Sequence, residues 1–160
     1  MTTFNADNTV RQTYPVKNNR VTYDYYNEYG RLTCTITLDD QIRQQGHQLT
    51  YYPSGQIQRD FYAVDDELDG IEKYYYEDGK LAFYTEYKHN LQNGYRIQYY
   101  DDENSTVKSE VIFRNDTSIG PKYSYYPDGS MEECKVFNAD GTLIHDTQYL
   151  PDGKKLHEIF

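Results

Sequence analysis

The chain has 160 residues, of which 26 are acidic and 16 basic, so its formal net charge is −10. This charge disfavours direct binding to nucleic-acid phosphates or to an anionic membrane surface, and it favours a basic partner. Only 37% of residues are apolar, but 16% are aromatic, with 20 Tyr and no Trp, which excludes a disordered chain and predicts a thin, tyrosine-rich fold.

From the residue pattern we expect no export or membrane signal. The first seven residues, Met-Thr-Thr-Phe-Asn-Ala-Asp, have neither a basic region nor an apolar run. No stretch approaches the roughly 20 apolar residues that a spanning helix needs. Cys34 and Cys134 lie 100 residues apart, so we expect no disulfide between them. We therefore predict a cytoplasmic protein.

One phrase recurs along the chain and predicts its organisation. It consists of a glycine, a tyrosine pair that begins five residues later and a turn with a second glycine, as in residues 70–81. The pairs begin at residues 25, 51, 75, 99, 125 and 149, which gives a period of about 24 residues. The first and last of these copies are degenerate. Such self-similarity indicates a repeat protein. We predict one domain over residues 1–160, with repeats from 20 to 160.

The first 20 residues are predicted to form a degenerate N-terminal cap. Residues 4–10 match residues 137–143 near the other end of the chain. Terminal repeats are usually atypical, because one of their sides meets solvent instead of a neighbouring repeat.

The segments around each tyrosine pair alternate as half-buried β-strands do. Residues 32–38, Leu-Thr-Cys-Thr-Ile-Thr-Leu, alternate apolar and polar side chains without a break. Hairpin turns are expected near Gly55, Gly79 and Gly129, where glycine permits a positive φ. The copy at residues 100–107 lacks this glycine and gains two residues. No segment has a helix signature, so the chain is predicted to be all-β.

Successive strand residues point to opposite faces, so the two tyrosines of a pair have different roles. The first lies with the apolar positions, which we predict to be the core. The second lies with polar positions and forms a ladder along the repeats. That ladder either stiffens the sheet through cross-strand packing or forms a recognition surface, since Tyr is common at interface hot spots.

The residue pattern gives little support to catalysis. The four histidines stand at unrelated repeat positions, and no glycine cluster resembles a phosphate loop. Residues 65–70 begin like an EF-hand loop, but its twelfth position would be Tyr76, where a glutamate is required. We predict no catalytic residue, no metal site, no cofactor and no small-molecule substrate.

Acidic clusters at turns are the remaining feature. They are either solvated loops or carboxylates that pair with Arg and Lys of a basic partner. Together with the ladder tyrosines, they are our candidate partner-binding residues: Tyr52, Tyr74, Tyr76, Tyr100, Tyr126, Asp65, Asp66, Glu67, Asp69, Asp101, Asp102 and Glu103.

The phrase Gly-x4-Tyr-Tyr-x-x-Gly-x-Leu resembles the bacterial variant of the MORN repeat, and the chain is similar to antitoxins of the YwqK type over about residues 20–160. The resemblance implies an elongated array of about six antiparallel β-hairpins in one twisted, curved sheet. It also implies non-catalytic protein binding, often as an antitoxin or immunity protein.

The sequence therefore predicts a non-catalytic immunity protein or antitoxin that blocks the active site of a cognate toxin. We expect the toxin to be basic and to act on nucleic acid or nucleotides, because an acidic surface can mimic such a substrate. The alternative is a scaffold or adaptor that connects proteins without inhibiting them.

Overall fold

The computed structural model describes residues 2–4, 10–16 and 19–159, and it describes side chains from residue 19 onward. These residues form fourteen β-strands: β1 (Thr2–Phe4), β2 (Val10–Val16), β3 (Arg20–Tyr26), β4 (Leu32–Leu38), β5 (Gly46–Tyr51), β6 (Ile57–Val64), β7 (Glu67–Tyr75), β8 (Leu81–Lys88), β9 (Leu91–Tyr99), β10 (Val107–Arg114), β11 (Thr117–Tyr125), β12 (Met131–Phe137), β13 (Leu143–Tyr149) and β14 (Lys155–Ile159).

The strands form one open sheet in which every strand pairs with its neighbours in the sequence. The order runs from β1 to β14 without a crossover, and the pairings are antiparallel. At about 4.8 Å per strand the sheet extends about 60 Å across its strands. The described residues contain no helix, and hence no helix that could cross a membrane. The predicted all-β hairpin array is confirmed.

The predicted hairpin turns are confirmed at one long edge of the sheet, which we call the tyrosine edge because each turn there follows a tyrosine pair. At the central turn, the Tyr76 amide donates to the Lys80 carbonyl oxygen over 2.8 Å, and the Gly79 amide donates to the Tyr76 carbonyl oxygen over 2.9 Å. Gly79 has a φ of 89°, which is why glycine is needed. The turns at Gly55 and Gly129 have the same bonds.

In the irregular turn at residues 100–106, Ser105 takes the position of the missing glycine, and a carboxylate accepts two hydrogen bonds within the turn. One oxygen of Asp102 accepts hydrogen bonds from the backbone amides of Asn104 and Thr106, both at 3.0 Å. Hydrogen bonds to Thr106 are the largest cause of a pKa of Asp102 below its usual value. The longer turn is therefore held by its own side chain, with Ser105 at a φ of 51°.

The other long edge, which we call the two-residue edge, has tight turns whose residues both have positive φ, at residues 65–66, 89–90 and 115–116. The second turn residue accepts a hydrogen bond from a backbone amide of the preceding repeat. These 2.7 Å bonds run from Gln44 to Asp66, from Leu68 to Asn90 and from Gln92 to Asp116. Each repeat is therefore connected to the one before it.

The burial of side chains contradicts the predicted core face. Residues opposite each other on antiparallel strands share a face, and Gln48, Phe61, Glu72 and Thr85 are aligned in this way across four strands. They are only 1%, 8%, 5% and 6% exposed. They lie on the predicted polar face, with Arg59, Tyr74 and Phe83, and we call it the groove face.

The face predicted to be the core is more open. Tyr62, Ile71 and Tyr95 lie there and are 43%, 45% and 49% exposed. A single sheet has no second layer to cover either face, so side chains are buried only where long neighbours lie over them. On the groove face the Arg59 guanidinium carbon lies 4.0 Å from the centre of the Phe61 ring and covers it. The apolar alternation alone could not predict this cover.

The predicted N-terminal cap lies partly outside the described residues. Residues 5–9, which carry most of the match to residues 137–143, are among those not described. Strands β1 and β2 pair antiparallel and continue the sheet beyond β3. The cap over residues 1–20 stays a prediction.

Candidate functional site

The groove face contains a concave site lined by residues of several neighbouring strands. Its volume is about 440 Å³. We call it the aromatic groove, because its walls contain Tyr52, Tyr74, Tyr75, Tyr76, Phe83 and Tyr87, with Glu72, Thr85, Gln92 and Arg96 as its main polar residues. Concave, mostly apolar sites with a few polar groups are where ligands and partner side chains bind.

Strand register places the groove at the middle of β7, β8 and β9. Tyr74 lies opposite Phe83, and Glu72 lies opposite Thr85, which in turn lies opposite Arg96. The groove is therefore centred on three consecutive strands, and with Tyr52 and Arg96 it includes parts of three repeats. No single 24-residue unit could form it alone.

A partly buried ion pair with Arg59 holds Glu72, which lines the floor of the groove. The Arg59 Nε donates to Glu72 Oε1 over 2.7 Å, and Arg59 Nη2 contacts the same oxygen. The Arg59 guanidinium carbon also lies 5.4 Å from the centre of the Tyr74 ring. Glu72 is only 5% exposed, so removing Arg59 would leave its charge buried without a partner. This carboxylate is a structural part of the floor.

The groove raises the pKa of phenols in its walls, as Tyr87 and Tyr74 show. Burial is the largest cause for Tyr87, and the charge of Glu72 with a hydrogen bond to it adds to the shift. Burial likewise raises the pKa of Tyr74, followed by the charge of Glu72, while Arg59 acts in the opposite direction. Both hydroxyls are therefore neutral hydrogen-bonding groups at physiological pH.

Arg96 is the exposed cationic residue of the groove. Its guanidinium carbon lies 6.0 Å from the centre of the Phe83 ring. Within residues 19–159, no carboxylate lies within ion-pair distance of it, in contrast to Arg59. A nearby buried acceptor, Gln92 Oε1, has no hydrogen-bond partner in the described part of the chain. The groove therefore has one unpaired positive charge and one unsatisfied acceptor.

Three of the five predicted tyrosines meet in this groove. Tyr52, Tyr74 and Tyr76 line it, and Tyr74 is 38% exposed. Tyr126 instead lines a separate cavity of about 350 Å³ with Glu132 and Glu133. Tyr100 packs near Lys108, whose Nζ lies 5.4 Å from its ring centre. The structure thus places the predicted ladder in more than one site.

The second tyrosines of the pairs form a regular line of hydrogen bonds along the tyrosine edge. Each hydroxyl donates to the backbone carbonyl oxygen of the first tyrosine in the next repeat. These bonds run from Tyr52 to Tyr75 at 2.7 Å, from Tyr76 to Tyr99 at 2.8 Å, from Tyr100 to Tyr125 at 2.9 Å and from Tyr126 to Tyr149 at 2.8 Å. These four hydroxyls therefore donate their hydrogen bonds within the fold, and a partner would contact the aromatic rings instead.

The acidic cluster at residues 65–69 lies at the two-residue edge and is paired within the chain. Asp65 lies 2.8 Å from Arg43 Nη1, and Asp69 lies 2.9 Å from Lys88 Nζ. The Lys88 bond is the main cause of a pKa of Asp69 below its usual value. Glu67 contacts His89 Nδ1 at 3.2 Å, and Asp66 accepts the Gln44 amide. These carboxylates are largely engaged within the fold.

The cluster at residues 101–103 lies at the opposite long edge, about 27 Å away along strands of about eight residues. Asp101 is exposed and lies 3.9 Å from Lys80 Nζ, and Glu103 is exposed too. Asp102 caps its own turn as described above. Burial raises the pKa of Tyr76, and the charges of Asp101 and Asp102 raise it further. This second cluster therefore borders the groove, at the end where Tyr76 lies.

Sequence reasoning missed most of the groove residues, among them Glu72, Phe83, Thr85, Tyr87, Gln92 and Arg96. Phe83, Thr85 and Tyr87 belong to a returning strand whose register with Tyr74 depends on a bulge between Tyr74 and Tyr75. Glu72 and Arg96 occupy equivalent positions, two residues after the repeat glycine. A charged residue at the same strand position in two consecutive repeats was the signal in the sequence that could have predicted this site.

The family model described as MORN repeat variant matches residues 44–62 and 68–89. The two matched segments contain most of β5 to β8, which form much of the groove. The match supports a MORN-repeat protein, and such repeats are generally modules for contacts with proteins or membranes. A comparison with curated proteins finds no match. The YwqK-type assignment and a bacterial origin stay predictions.

Proposed function

On the premise that this chain is a MORN-repeat protein, we propose that it is a non-catalytic, cytoplasmic protein-binding module whose contact surface is the aromatic groove. The observation that supports this most is that Tyr52, Tyr74 and Tyr76 line one groove with an unpaired arginine. Tyrosine and arginine are the residue types enriched at interface hot spots. The rings are already positioned by the fold, so little side-chain entropy is lost on binding.

The partner in this proposal is a basic protein. The chain has a net charge of −10, and five acidic residues are close together at the tyrosine edge beside the groove: Glu77, Asp78, Asp101, Asp102 and Glu103. Lys80 is the cation that lies among them, 2.6 Å from Asp78. A surface of this charge increases the rate at which a basic partner is encountered and disfavours acidic competitors.

In its finer form, the proposal is that the partner is a cognate toxin domain and that binding covers its active site. A toxin that acts on nucleic acid or nucleotides has a positive cleft, and the acidic tyrosine edge offers carboxylates in place of phosphates. The protein then acts as an immunity protein or antitoxin.

A scaffold is the second candidate, and the cavity at Tyr126 favours it. That cavity of about 350 Å³ is also lined by Ser124, Glu132, Glu133 and Gln148. Its strands, β11 to β14, are about four strands from the aromatic groove, or roughly 20 Å. Two separated concave sites on one continuous sheet suit a protein that holds two partners together.

Co-expression distinguishes the two candidates. The probe is the product of a toxin-like reading frame that adjoins the gene, expressed alone and with this chain. Inhibition predicts that the chain restores growth, and that Tyr74→Ala abolishes both growth rescue and binding. The matched control is Tyr62→Ala, because Tyr62 is similarly exposed, at 43% against 38%, but lies on the opposite face.

The outcomes separate the hypotheses. Binding without loss of toxin activity supports the scaffold and overturns the inhibitor. Equal effects of the two alanine variants on a folded protein overturn the groove as the contact surface.

A further inference from the structure

We infer that the aromatic groove binds a protein segment that presents an aromatic side chain next to a carboxylate, and that Arg96 selects for the carboxylate. This inference deepens the proposed function, because it rests on the groove as the contact surface. It adds the chemistry of the group that the partner inserts, which the net charge of the chain does not predict.

The charge of the groove is opposite to that of the whole chain. Glu72 and Arg59 neutralise each other through their ion pair, so Arg96 leaves the groove with about one positive charge. A carboxylate that enters can form a bidentate pair with the Arg96 guanidinium. The carboxylates of the tyrosine edge lie outside the groove, so their repulsion is screened by solvent and is weaker than the attraction of Arg96, which lies in the groove itself.

The shape of the groove fits a ring. Its volume of about 440 Å³ lies in the lower part of the range for ligand sites. Tyr74, Tyr76 and Phe83 supply aromatic walls, against which a further ring packs in an offset or edge-to-face arrangement. One aromatic side chain with the adjoining peptide is therefore the part of a partner that the groove can hold.

A peptide backbone also supplies the donor that the groove lacks. Gln92 Oε1 is buried without a partner in the described residues, which is unfavourable for an amide oxygen. A peptide N–H in the groove can donate to it after a rotation of the side-chain amide. This feature favours a peptide segment over a free aromatic acid.

A cation is the competing occupant, since aromatic walls also bind ammonium groups. Two observations oppose it. The one carboxylate in the groove, Glu72, is already paired with Arg59, and Arg96 would repel a cation directly. The aromatic groove is therefore predicted to discriminate against positive charge, although the protein as a whole is acidic.

Two small probes test the inference with the full chain, labelled with ¹⁵N and observed by NMR titration. The probes are 3-phenylpropionate and phenethylammonium, which share a ring and a two-carbon linker but carry opposite charges. We expect 3-phenylpropionate to bind in the millimolar range and to shift the amide signals of Tyr74, Phe83 and Arg96. Phenethylammonium should bind at least about fivefold more weakly.

Arg96→Gln should remove this preference, with about a fivefold loss for 3-phenylpropionate and no loss for phenethylammonium. Arg114→Gln is the matched control, because Arg114 is exposed and lies on the opposite face, and it should change neither titration. Both substitutions are at exposed positions, and the dispersion of the spectra confirms that the variants are folded.

Equal binding of the two probes, a charge preference that survives Arg96→Gln, or shifts confined to residues outside the groove would each overturn the inference. The titrations need no protein partner, so their failure leaves the co-expression result independent. Conversely, the probes could bind selectively by charge while Tyr74→Ala leaves growth rescue and partner binding unchanged. That result would support the inferred chemistry of the groove and would reject the proposed function.

Discussion

The hydroxyl of Tyr76 donates a hydrogen bond of 2.8 Å to the backbone carbonyl oxygen of Tyr99. Tyr76 directly follows β7 and Tyr99 ends β9, so this bond passes over β8 and connects two repeats. It recurs at three other tyrosine pairs. The period of the sequence therefore has a structural counterpart: each of these second tyrosines bonds to the backbone of a residue 23 to 25 positions further along the chain.

Tyr76→Phe should reduce the free energy of unfolding by about 1 kcal/mol, because it removes this bond and leaves the Tyr99 carbonyl oxygen unsatisfied. Urea denaturation measures the loss. Tyr74→Phe is the control, since no hydroxyl hydrogen bond of Tyr74 is described in residues 19–159, and it should change stability by a few tenths of a kcal/mol at most. Similar losses in both variants would contradict the proposed role of the hydroxyl.

The recurrence, the strands and the glycine turns were predictable from the sequence, because they depend on local geometry and on a fixed period. The buried face was not predictable. Phe61 is buried because the long side chain of Arg59 lies over it, whereas Ile71 on the other face stays exposed. The alternation of apolar and polar residues along a strand does not predict where such a side chain lies. The groove was predictable only in part, because Arg96 and Tyr74 are 22 residues apart and meet through strand register.

Gly94→Ala should destabilise the protein strongly, for two reasons. Gly94 has a φ of 130°, and an added Cβ would lie 2.9 Å from the Glu86 Cβ and closer still to its carboxylate. Strain of this kind costs about 1–3 kcal/mol before the clash is counted. Gly55→Ala is the control, because its added Cβ meets no atom within 4 Å and only the φ of 91° is unfavourable.

Chemical denaturation of both variants measures the difference. The double variant Glu86→Ala with Gly94→Ala should recover the part of the loss that comes from the clash with the Glu86 carboxylate, while the close contact with the Cβ at position 86 remains. A Gly94→Ala variant no less stable than Gly55→Ala would show that the Glu86 side chain moves aside without cost.

Stability should decline between about pH 10 and pH 12. Burial and a hydrogen bond to Glu86 at 2.8 Å raise the pKa of Tyr84 to about 12, and burial and a 2.7 Å bond to Glu110 raise the pKa of Tyr125 to about 12. In the unfolded chain both phenols lose their protons near pH 10. The unfolded state then binds fewer protons than the folded state, so rising pH favours unfolding.

Absorbance at the phenolate band, followed during an alkaline titration, checks this prediction. Tyr84→Phe and Tyr125→Phe should each remove one late-titrating phenol and flatten the pH dependence of stability over that interval. A titration in which every phenol ionises near pH 10 while the chain stays folded would contradict the assignment.

Substitutions in the acidic cluster and in the groove should affect different rate constants of partner binding. Asp101→Asn with Glu103→Gln should mainly slow association and weaken its salt dependence, because both groups are exposed and act at long range. Tyr74→Ala should mainly speed dissociation, with a loss of about 2 kcal/mol if its ring is a hot spot. Surface plasmon resonance with the cognate partner separates the rates. Changes in the same rate constant for both variants would contradict this division.

Deletion of residues 70–93 should leave a shorter protein that folds but has no aromatic groove. The deletion joins Asp69 to Gly94, which then takes the position of Gly70 in the repeat. Because each strand pairs only with its neighbours, the sheet can close up by one hairpin. Circular dichroism should keep its strand signal, and 3-phenylpropionate should no longer bind, because Tyr74, Phe83 and Gln92 are gone.

Deletion of residues 70–81 is the matched control, because it removes half a repeat. It would place β8, which runs parallel to β6, directly after that strand with only a short connection, and parallel neighbours need a long crossover. This control should unfold or aggregate. If the full-repeat deletion unfolds as well, the hydrogen bonds between repeats at the tyrosine edge cannot replace one another. Stability then depends on the particular contacts of the central repeat, above all on the Arg59–Glu72 ion pair.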